Sequence, residues 1–279
     1  MIDLHTHSSV SDGSETPAGV IDLAAEAGLR AVALTDHDCL DGLDAASARG
    51  TEVGVEVIPG CELSCVHRAT MHVLVYFVTA GPGALQDRLV DLQRARDERN
   101  RTLAVRLAAL GLPVTAEEME AEAGGMGVGR PHVAAVLVRK GVVSSVQEAF
   151  DTWLAKGRPA YVEKERLAPG EALSLARASG GVGVLAHPLS LDLPPAALER
   201  QVAELAGLGL AGVECLYGRY SPAERSGLVA LAERHGLAVT GGSDFHGRYK
   251  PDLSVGTGRG DLAVGDEVLD RLRERASGG

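Results

Sequence analysis

Ala31-Val32-Ala33-Leu34-Thr35-Asp36-His37-Asp38 joins a short run of small and branched apolar residues to a polar, titratable tip. The apolar half suits a strand buried on both faces, and the tip marks where such a strand would end. Working outward, the pattern recurs along the chain. Ile2 to Leu4 runs into His5-Thr6-His7, Val55 to Ile58 precedes Glu62, and Met71 to Val78 carries His72. Val182 to Leu185 leads to His187, and Leu237 to Thr240 leads to Asp244 and His246. With Gly212 to Leu216 these make seven expected strands. Thr16-Pro17 starts a helix that ends at Gly28, with Pro at the first helical position. Further helices are read near Leu40 to Arg49, 169 to 179, 195 to 207 and 222 to 235. Alternating strand and helix imply parallel strands with right-handed crossovers, which predicts an α/β fold closed, or nearly closed, into a barrel. No G-x-G-x-x-G follows an expected strand and no G-x-x-x-x-G-K-[ST] occurs, so dinucleotide and P-loop readings lack their phosphate-cradling loops.

The rhythm breaks between residues 91 and 165, where the pattern turns helical without a convincing strand. Residues 1–90 and 166–279 are therefore expected to form the barrel, and 91–165 an inserted helical subdomain. Its first helix carries Arg94, Arg96, Arg99, Arg101 and Arg106, read as a solvated face paired with Asp97 and Glu98. Two more helices are expected at Pro131 to Lys140 and Ser145 to Lys156.

Composition narrows the function classes. Lys plus Arg total 27 against 38 Asp plus Glu, a net charge of −11 that argues against a nucleic-acid or membrane binder held by bulk charge, though not against a locally basic groove. The four cysteines form no C-x-x-C pair, which excludes a disulfide scaffold or zinc ribbon as the organising device. With no basic and apolar leader at Met1-Ile2-Asp3 and no apolar run of about 18 residues, a soluble cytoplasmic protein without a membrane or stable protein partner is expected.

In a parallel barrel all strand C-termini open on one face, so the polar tips converge although they are far apart in the chain. In extended backbone residues i and i+2 point the same way, so His5 and His7 can address one ion, as can Asp244 and His246. A lone strand histidine is commonly a hydrogen-bonded core residue; so many at strand ends, together with acids, point to metal. Imidazoles mixed with carboxylates suit Mn, Fe or Zn better than Mg or Ca. His67 and His235 lie outside the pattern and read as surface residues.

Asp3-Leu4-His5-Thr6-His7, Ser11-Asp12-Gly13, Thr35-Asp36-His37-Asp38, Gly60-Cys61-Glu62, His72, Ala186-His187-Pro188 and Gly242-Ser243-Asp244-Phe245-His246 together resemble the polymerase and histidinol phosphatase (PHP) family. The resemblance implies a distorted (β/α)7 TIM-like barrel with three divalent ions at the strand C-termini. It assigns His5, His7, Glu62 and Asp244 to one ion, with Glu62 bridging to a second held by His72 and His187. Asp12, His37 and His246 are assigned to the third. The helical insertion, Gly129-Arg130-Pro131-His132 and Gly157-Arg158-Pro159 are similar to the bacterial phosphoesterases of the family that act on nucleoside 3′,5′-bisphosphates, AMP-like nucleotides or RNA 5′ ends.

Phosphoester hydrolysis by a metal-activated hydroxide, without a covalent enzyme intermediate, is the expected chemistry. Asp36 and Asp38 flank His37 and are candidates to orient it or to act near the leaving oxygen; Asp38 is equally suited to cap the next helix. Arg130 and His132 are candidates to grip a phosphate of the small nucleotide or short RNA substrate, the alternative being a surface Arg and a helix-capping His. Tyr217 and Tyr220 border the pocket or pack at its rim. Two other readings stand beside this one: an amidohydrolase-like C–N hydrolase, against which no lysine ends a barrel strand, and a non-catalytic metal or nucleotide sensor.

Overall fold

The computed structural model describes residues 1–79, 81–112, 114–124 and 127–277. Elements run β1 (Ile2–Thr6), α1 (Pro17–Glu26), β2 (Ala31–Leu34), α2 (Leu43–Val53), β3 (Glu56–Cys65) and β4 (Met71–Tyr76). A helical stretch follows: α3 (Ala84–Ala109), α4 (Ala116–Glu122), α5 (Arg130–Arg139) and α6 (Val146–Ala149), the last running into a π-helical turn at Phe150–Leu154. Alternation resumes with α7 (Pro169–Ala178), β5 (Val182–Leu185), α8 (Pro195–Gly207), β6 (Gly212–Tyr217), α9 (Pro222–Arg234), β7 (Ala238–Gly242) and α10 (Asp266–Ser277). The strands form one seven-stranded sheet in chain order, β1 to β7. Its edges meet where the Asp244 N–H donates to the His5 carbonyl (2.8 Å) and the His7 N–H to the Phe245 carbonyl (3.0 Å), so the barrel is nearly closed.

The strands are not all parallel, contrary to expectation. β4 pairs antiparallel with both β3 and β5. Residues 66–70 between β3 and β4 are too few for a crossover, which needs a dozen or more, so the chain turns straight back. His72 therefore lies at the N-terminal end of β4, opposite Ser64, and reaches the same barrel face because its strand runs the other way.

β3 also extends past its expected end at Ile58. Glu56 to Pro59 pair with β2, and Gly60 to Cys65 pair with β4. Glu62 is thus held within a strand, fixed by its ladder, rather than at a free end. Gly60 marks the change of partner, where an added Cβ would meet the Val75 carbonyl oxygen at 2.5 Å.

One core cluster gathers Ile2, Leu4, Ala31, Ala33, Leu74 and Val184 from the strands with Val268, Leu269 and Leu272 of α10, a helix the sequence reading did not pick out. A second lies between strands and outer helices, and a third joins Leu103, Leu107, Met119, Val133, Leu137 and Leu154 inside the helical stretch. The expected boundary at 90/91 falls within α3, whose Leu85, Leu89 and Leu92 pack in the barrel's cluster while Leu103 and Leu107 pack in the helical one. α4 was also missed, although Thr115 and Glu118 form the reciprocal capping pair that announces a helix start. Among the described residues no helix is long and apolar enough to cross a membrane.

Candidate metal centre

Two β1 imidazoles open the site. His5 Nδ1 lies 2.8 Å from Glu214 Oε1, and a carboxylate only accepts, so the proton sits on Nδ1 and the Nε2 lone pair faces inward. His187 follows the same logic. Its Nδ1 donates to Ser190 Oγ (2.9 Å), whose own proton goes to the Thr70 carbonyl (3.0 Å). His246 Nδ1 donates to the Asp244 carbonyl (2.9 Å). In each ring the outer hydrogen bond selects the tautomer that leaves Nε2 free as a ligand atom.

These lone pairs meet the acids. Glu62 Oε2 lies 3.3 Å from His5 Nε2 and 3.1 Å from His7 Nε2, while Asp244 Oδ1 lies 3.5 and 3.4 Å from the same two atoms. The other oxygen, Glu62 Oε1, faces His72 Nδ1 at 2.8 Å and His187 Nε2 at 2.9 Å. Asp12 lies 3.3 Å from His246 Nε2 and 3.9 Å from His37 Nε2, with His7 Nδ1 at 3.8 Å. Ligand atoms about 2.0–2.2 Å from a four-coordinate ion lie about 3.3–3.6 Å apart, close to these separations. His7 Nδ1 and His37 Nδ1 are buried without a hydrogen-bond partner among the described residues, an arrangement that a bound cation resolves. The donor set fits divalent ions.

Burial pushes the His37, His72 and His246 imidazoles below their usual pKa, favouring the neutral, ligating form. His5 and His7 go the other way. Burial opposes protonation, but facing acids outweigh it and raise both, His7 to about 9, so metal must displace protons there. Burial alone would raise Glu62, yet the histidines around it hold its carboxyl well below the usual range.

Glu214 went unnoticed in the sequence, although an acid inside the apolar run of β6 was the available signal. It is fully buried, orients His5 through one oxygen and accepts the His187 N–H through the other (2.7 Å). Glu214→Gln preserves shape but must turn an N–H toward one of those partners. We expect metal affinity to fall about 10–100-fold, checked by titrating the metal-stripped variant with Zn²⁺ or Mn²⁺.

The flanking aspartates do not orient His37. Neither hydrogen-bonds the His37 ring. Asp36 accepts from the Ser8 N–H (2.8 Å) and from the hydroxyls of Ser8 (2.7 Å) and Ser11 (2.6 Å), pinning the loop that presents Asp12. Asp38 accepts from the Ser64 N–H (2.9 Å), Lys164 Nζ (2.6 Å) and Arg96 (3.2 Å), and is no helix cap, since Gly42 precedes α2. Burial raises its pKa, but Lys164 and Arg96 overcompensate and hold it below the ordinary carboxylate value.

The two residues expected to grip phosphate part company. His132 Nδ1 accepts the Gly129 N–H (3.0 Å), the capping alternative, and its ring lies against Tyr249. Arg130 sits between the Phe150 and Tyr161 rings and lines a cavity shared with Asp12, His37 and His72. Arg96, Arg99, Lys164 and Arg166 line it too. The α3 arginines are thus of two kinds. Arg94 and Arg101 are exposed beside Asp91 and Glu98, whereas Arg96 and Arg99 share the buried face with Asn100 and Leu103, because residues three and four apart fall on one side of a helix. Lys164 carried no sequence signal, since only the returning chain brings it to Asp38. Tyr217 donates its hydroxyl to Asp244 Oδ2 (2.7 Å), which turns Oδ1 toward His5 and His7.

Residues 3–108 match the PHP domain. The chain is 33% identical to the 3′,5′-nucleoside bisphosphate phosphatase of Chromobacterium violaceum over 91% of its length and 90% of that protein's. It is 34% identical to the 5′-3′ exoribonuclease Rnm of Salmonella typhimurium, over 88% of this chain and 84% of that one. A solved structure from Bifidobacterium adolescentis, described as a metal-dependent phosphoesterase, superposes with a TM-score of 0.87 at 29% identity, covering 98% of this chain and 96% of that one. A buried histidine and carboxylate cluster, a nearly closed seven-stranded barrel and relatives aligned along almost their whole length lead to one conclusion: the chain belongs to the PHP family of metal-dependent phosphoesterases.

Proposed function

We propose that this enzyme hydrolyses the 3′-phosphate ester of nucleotides that also carry a 5′-phosphate, with three divalent ions, Mn, Fe or Zn, at the centre. His5, His7, Glu62 and Asp244 would hold one ion, Glu62 with His72 and His187 a second, and Asp12, His37 and His246 the third. When bound, such ions neutralise phosphoryl oxygens and supply an activated water. The observation that carries the substrate reading is the cavity in which Arg96, Arg99, Arg130, Lys164 and Arg166 stand beside His37 and His72. Guanidinium groups grip phosphate in bidentate fashion, so this cavity suits the phosphate that stays on the product while the scissile one sits over the cluster. Asp38 positions Arg96 and Lys164 for that grip. The relatives named above, a bisphosphate phosphatase and an exoribonuclease, support nucleotide substrates in general and are too similar in identity to separate the two. Four free buried cysteines suit a reducing compartment, and we place the enzyme in the cytoplasm.

The test is phosphate release from adenosine 3′,5′-bisphosphate, 3′-AMP and 5′-AMP by protein loaded with Mn²⁺. The bisphosphate should exceed 3′-AMP by about 100-fold or more in kcat/KM, the least that two charge-assisted hydrogen bonds are worth, and chelation should abolish turnover. Equal rates on the two 3′-phosphates would remove the role given to the cationic cavity, and silence throughout would sink the reading.

A further inference from the structure

The three candidate ion sets are not braced alike. His5 and Asp244 of the first, and His187 of the second, take their outer hydrogen bonds from Glu214, Tyr217 and Ser190, all residues of the barrel. The loops that carry the third set, Asp12, His37 and His246, lie against the helical insertion instead. Arg96 of α3 donates to the His37 carbonyl (2.7 Å). Gly129, at the start of α5, backs onto Asp12, where an added Cβ would meet the Asp12 Cβ at 3.3 Å. A Cβ on Gly127, whose φ is +53°, would meet the Val10 carbonyl oxygen at 2.0 Å, so the insertion closes on the loop after β1 more tightly than any side chain permits.

The loop after β7 makes the firmest of these contacts. The Ser14 N–H donates to the His246 carbonyl (3.2 Å) and the Arg248 N–H to Ser14 Oγ (3.1 Å), which laces the His246 loop to the Asp12 loop. From there two side chains reach Glu122, the last residue of α4. Arg248 Nη2 lies 2.9 Å from Glu122 Oε1, and the Tyr249 hydroxyl lies 3.3 Å from that oxygen and 3.3 Å from the Glu122 carbonyl. Arg139 of α5 pairs with Oε2. The Tyr249 ring packs edge-on against His132, with centroids 5.1 Å apart. The Glu122 side chain is only 11% exposed, so these contacts are worth more than an open surface pair. An acid that served the insertion alone would draw its partners from the insertion; Glu122 draws two of three from the loop that presents His246.

We infer that Glu122 is a positioning residue for the third ion. Through Arg248 and Tyr249 it seats the insertion on the loops bearing Asp12 and His246, so this site is completed by the insertion, whereas the other two are completed by the barrel. The inference rests on the three-ion reading proposed above.

The experiment titrates metal-stripped protein with Mn²⁺ and counts bound ions by elemental analysis in wild type, Glu122→Gln, Tyr249→Phe and Lys140→Met, with thermal melts checking the fold. Glutamine offers one acceptor oxygen to two arginines, so one of them must face an N–H. Tyr249→Phe removes the hydroxyl and keeps the ring on His132. Lys140→Met is the control, since it cuts a pair with Glu118 (2.7 Å) that joins α4 to the end of α5 within the insertion. Wild type should bind three ions. Glu122→Gln should weaken one of them by about 10-fold or more and Tyr249→Phe by about threefold, with the other two within about twofold of wild type. Lys140→Met should leave all three unchanged. Equal affinities in wild type and both loop-facing variants overturn the inference, as does a loss shared by all three ions or matched by Lys140→Met, which would make Glu122 a support of the fold. The three-ion reading survives each of those results. If Glu122→Gln does not fold, Tyr249→Phe decides by the same criteria. Fewer than three ions in wild type overturns the three-ion reading and this inference with it.

Discussion

Glu62→Gln is expected to lower kcat by about 10³-fold or more and to strip metal from the protein. Glu62 faces both His5 with His7 and His72 with His187, using a different oxygen for each pair. The amide keeps the volume but removes the charge and turns one coordinating oxygen into an N–H. Several kcal/mol of charge stabilisation go with it, and about 1.4 kcal/mol is a factor of ten in rate. Metal content by elemental analysis separates this from a local defect. Near-complete loss of turnover with metal retained would mean that Glu62 acts on substrate and bridges nothing. The ladder between β3 and β4 does not involve the Glu62 side chain, so the barrel should persist, as circular dichroism would check.

Arg99→Met should move stability and activity in opposite directions. Arg99 is 8% exposed, and its Nε and Nη1 have no hydrogen-bond partner among the described residues. Burial, with Arg130 and Arg96 adding repulsion, pushes the guanidinium down to about 9, so it remains charged at neutral pH. The sign is fixed by linkage. A base whose pKa is lowered by folding binds fewer protons in the folded state, so its charge costs stability at pH 7, and that cost shrinks only as pH rises through 9. Replacing an unpaired buried charge with an apolar group of similar length should stabilise the substrate-free protein by about 1–4 kcal/mol. The same change should raise KM for the 5′-phosphorylated bisphosphate by about 10–100-fold, through a lost charge-assisted hydrogen bond. A melt showing destabilisation, or an unaltered KM, would mean that Arg99 serves packing alone.

How much of this was legible beforehand follows from what each feature depends on. The candidate metal ligands were legible because strand ends in a barrel share a face whatever the intervening chain does, so His5, His37, His187 and Asp244 converge from topology alone. The direction of β4 was not, because a periodic apolar run reads the same either way; only the short link from Val66 to Thr70 bore on it. Residues that act through others were hidden for a different reason. Glu214 and Lys164 gain meaning only from His5 and Asp38, which are 209 and 126 positions away. Asp36 and Asp38 were found, but the contact with the His37 ring that their adjacency in sequence suggested does not form. Past the end of β2 the backbone turns, with Asp38 at a φ of 50°, and the two carboxylates face the first loop and the cationic cavity.

α3 spans 26 residues and is seated at both ends, in the barrel's core by Leu85, Leu89 and Leu92 and in the helical core by Leu103 and Leu107. Between these anchors it carries Arg96 and Arg99 to the cavity. Each residue of a helix advances it by about 100°, so a single insertion or deletion between Leu92 and Arg96 would swing both guanidinium groups out toward solvent while the barrel end stayed seated. Evolution can therefore substitute freely along the outer face of this helix but cannot change its length. New substrate preferences are open to this scaffold through the helices and turns beyond Ala109.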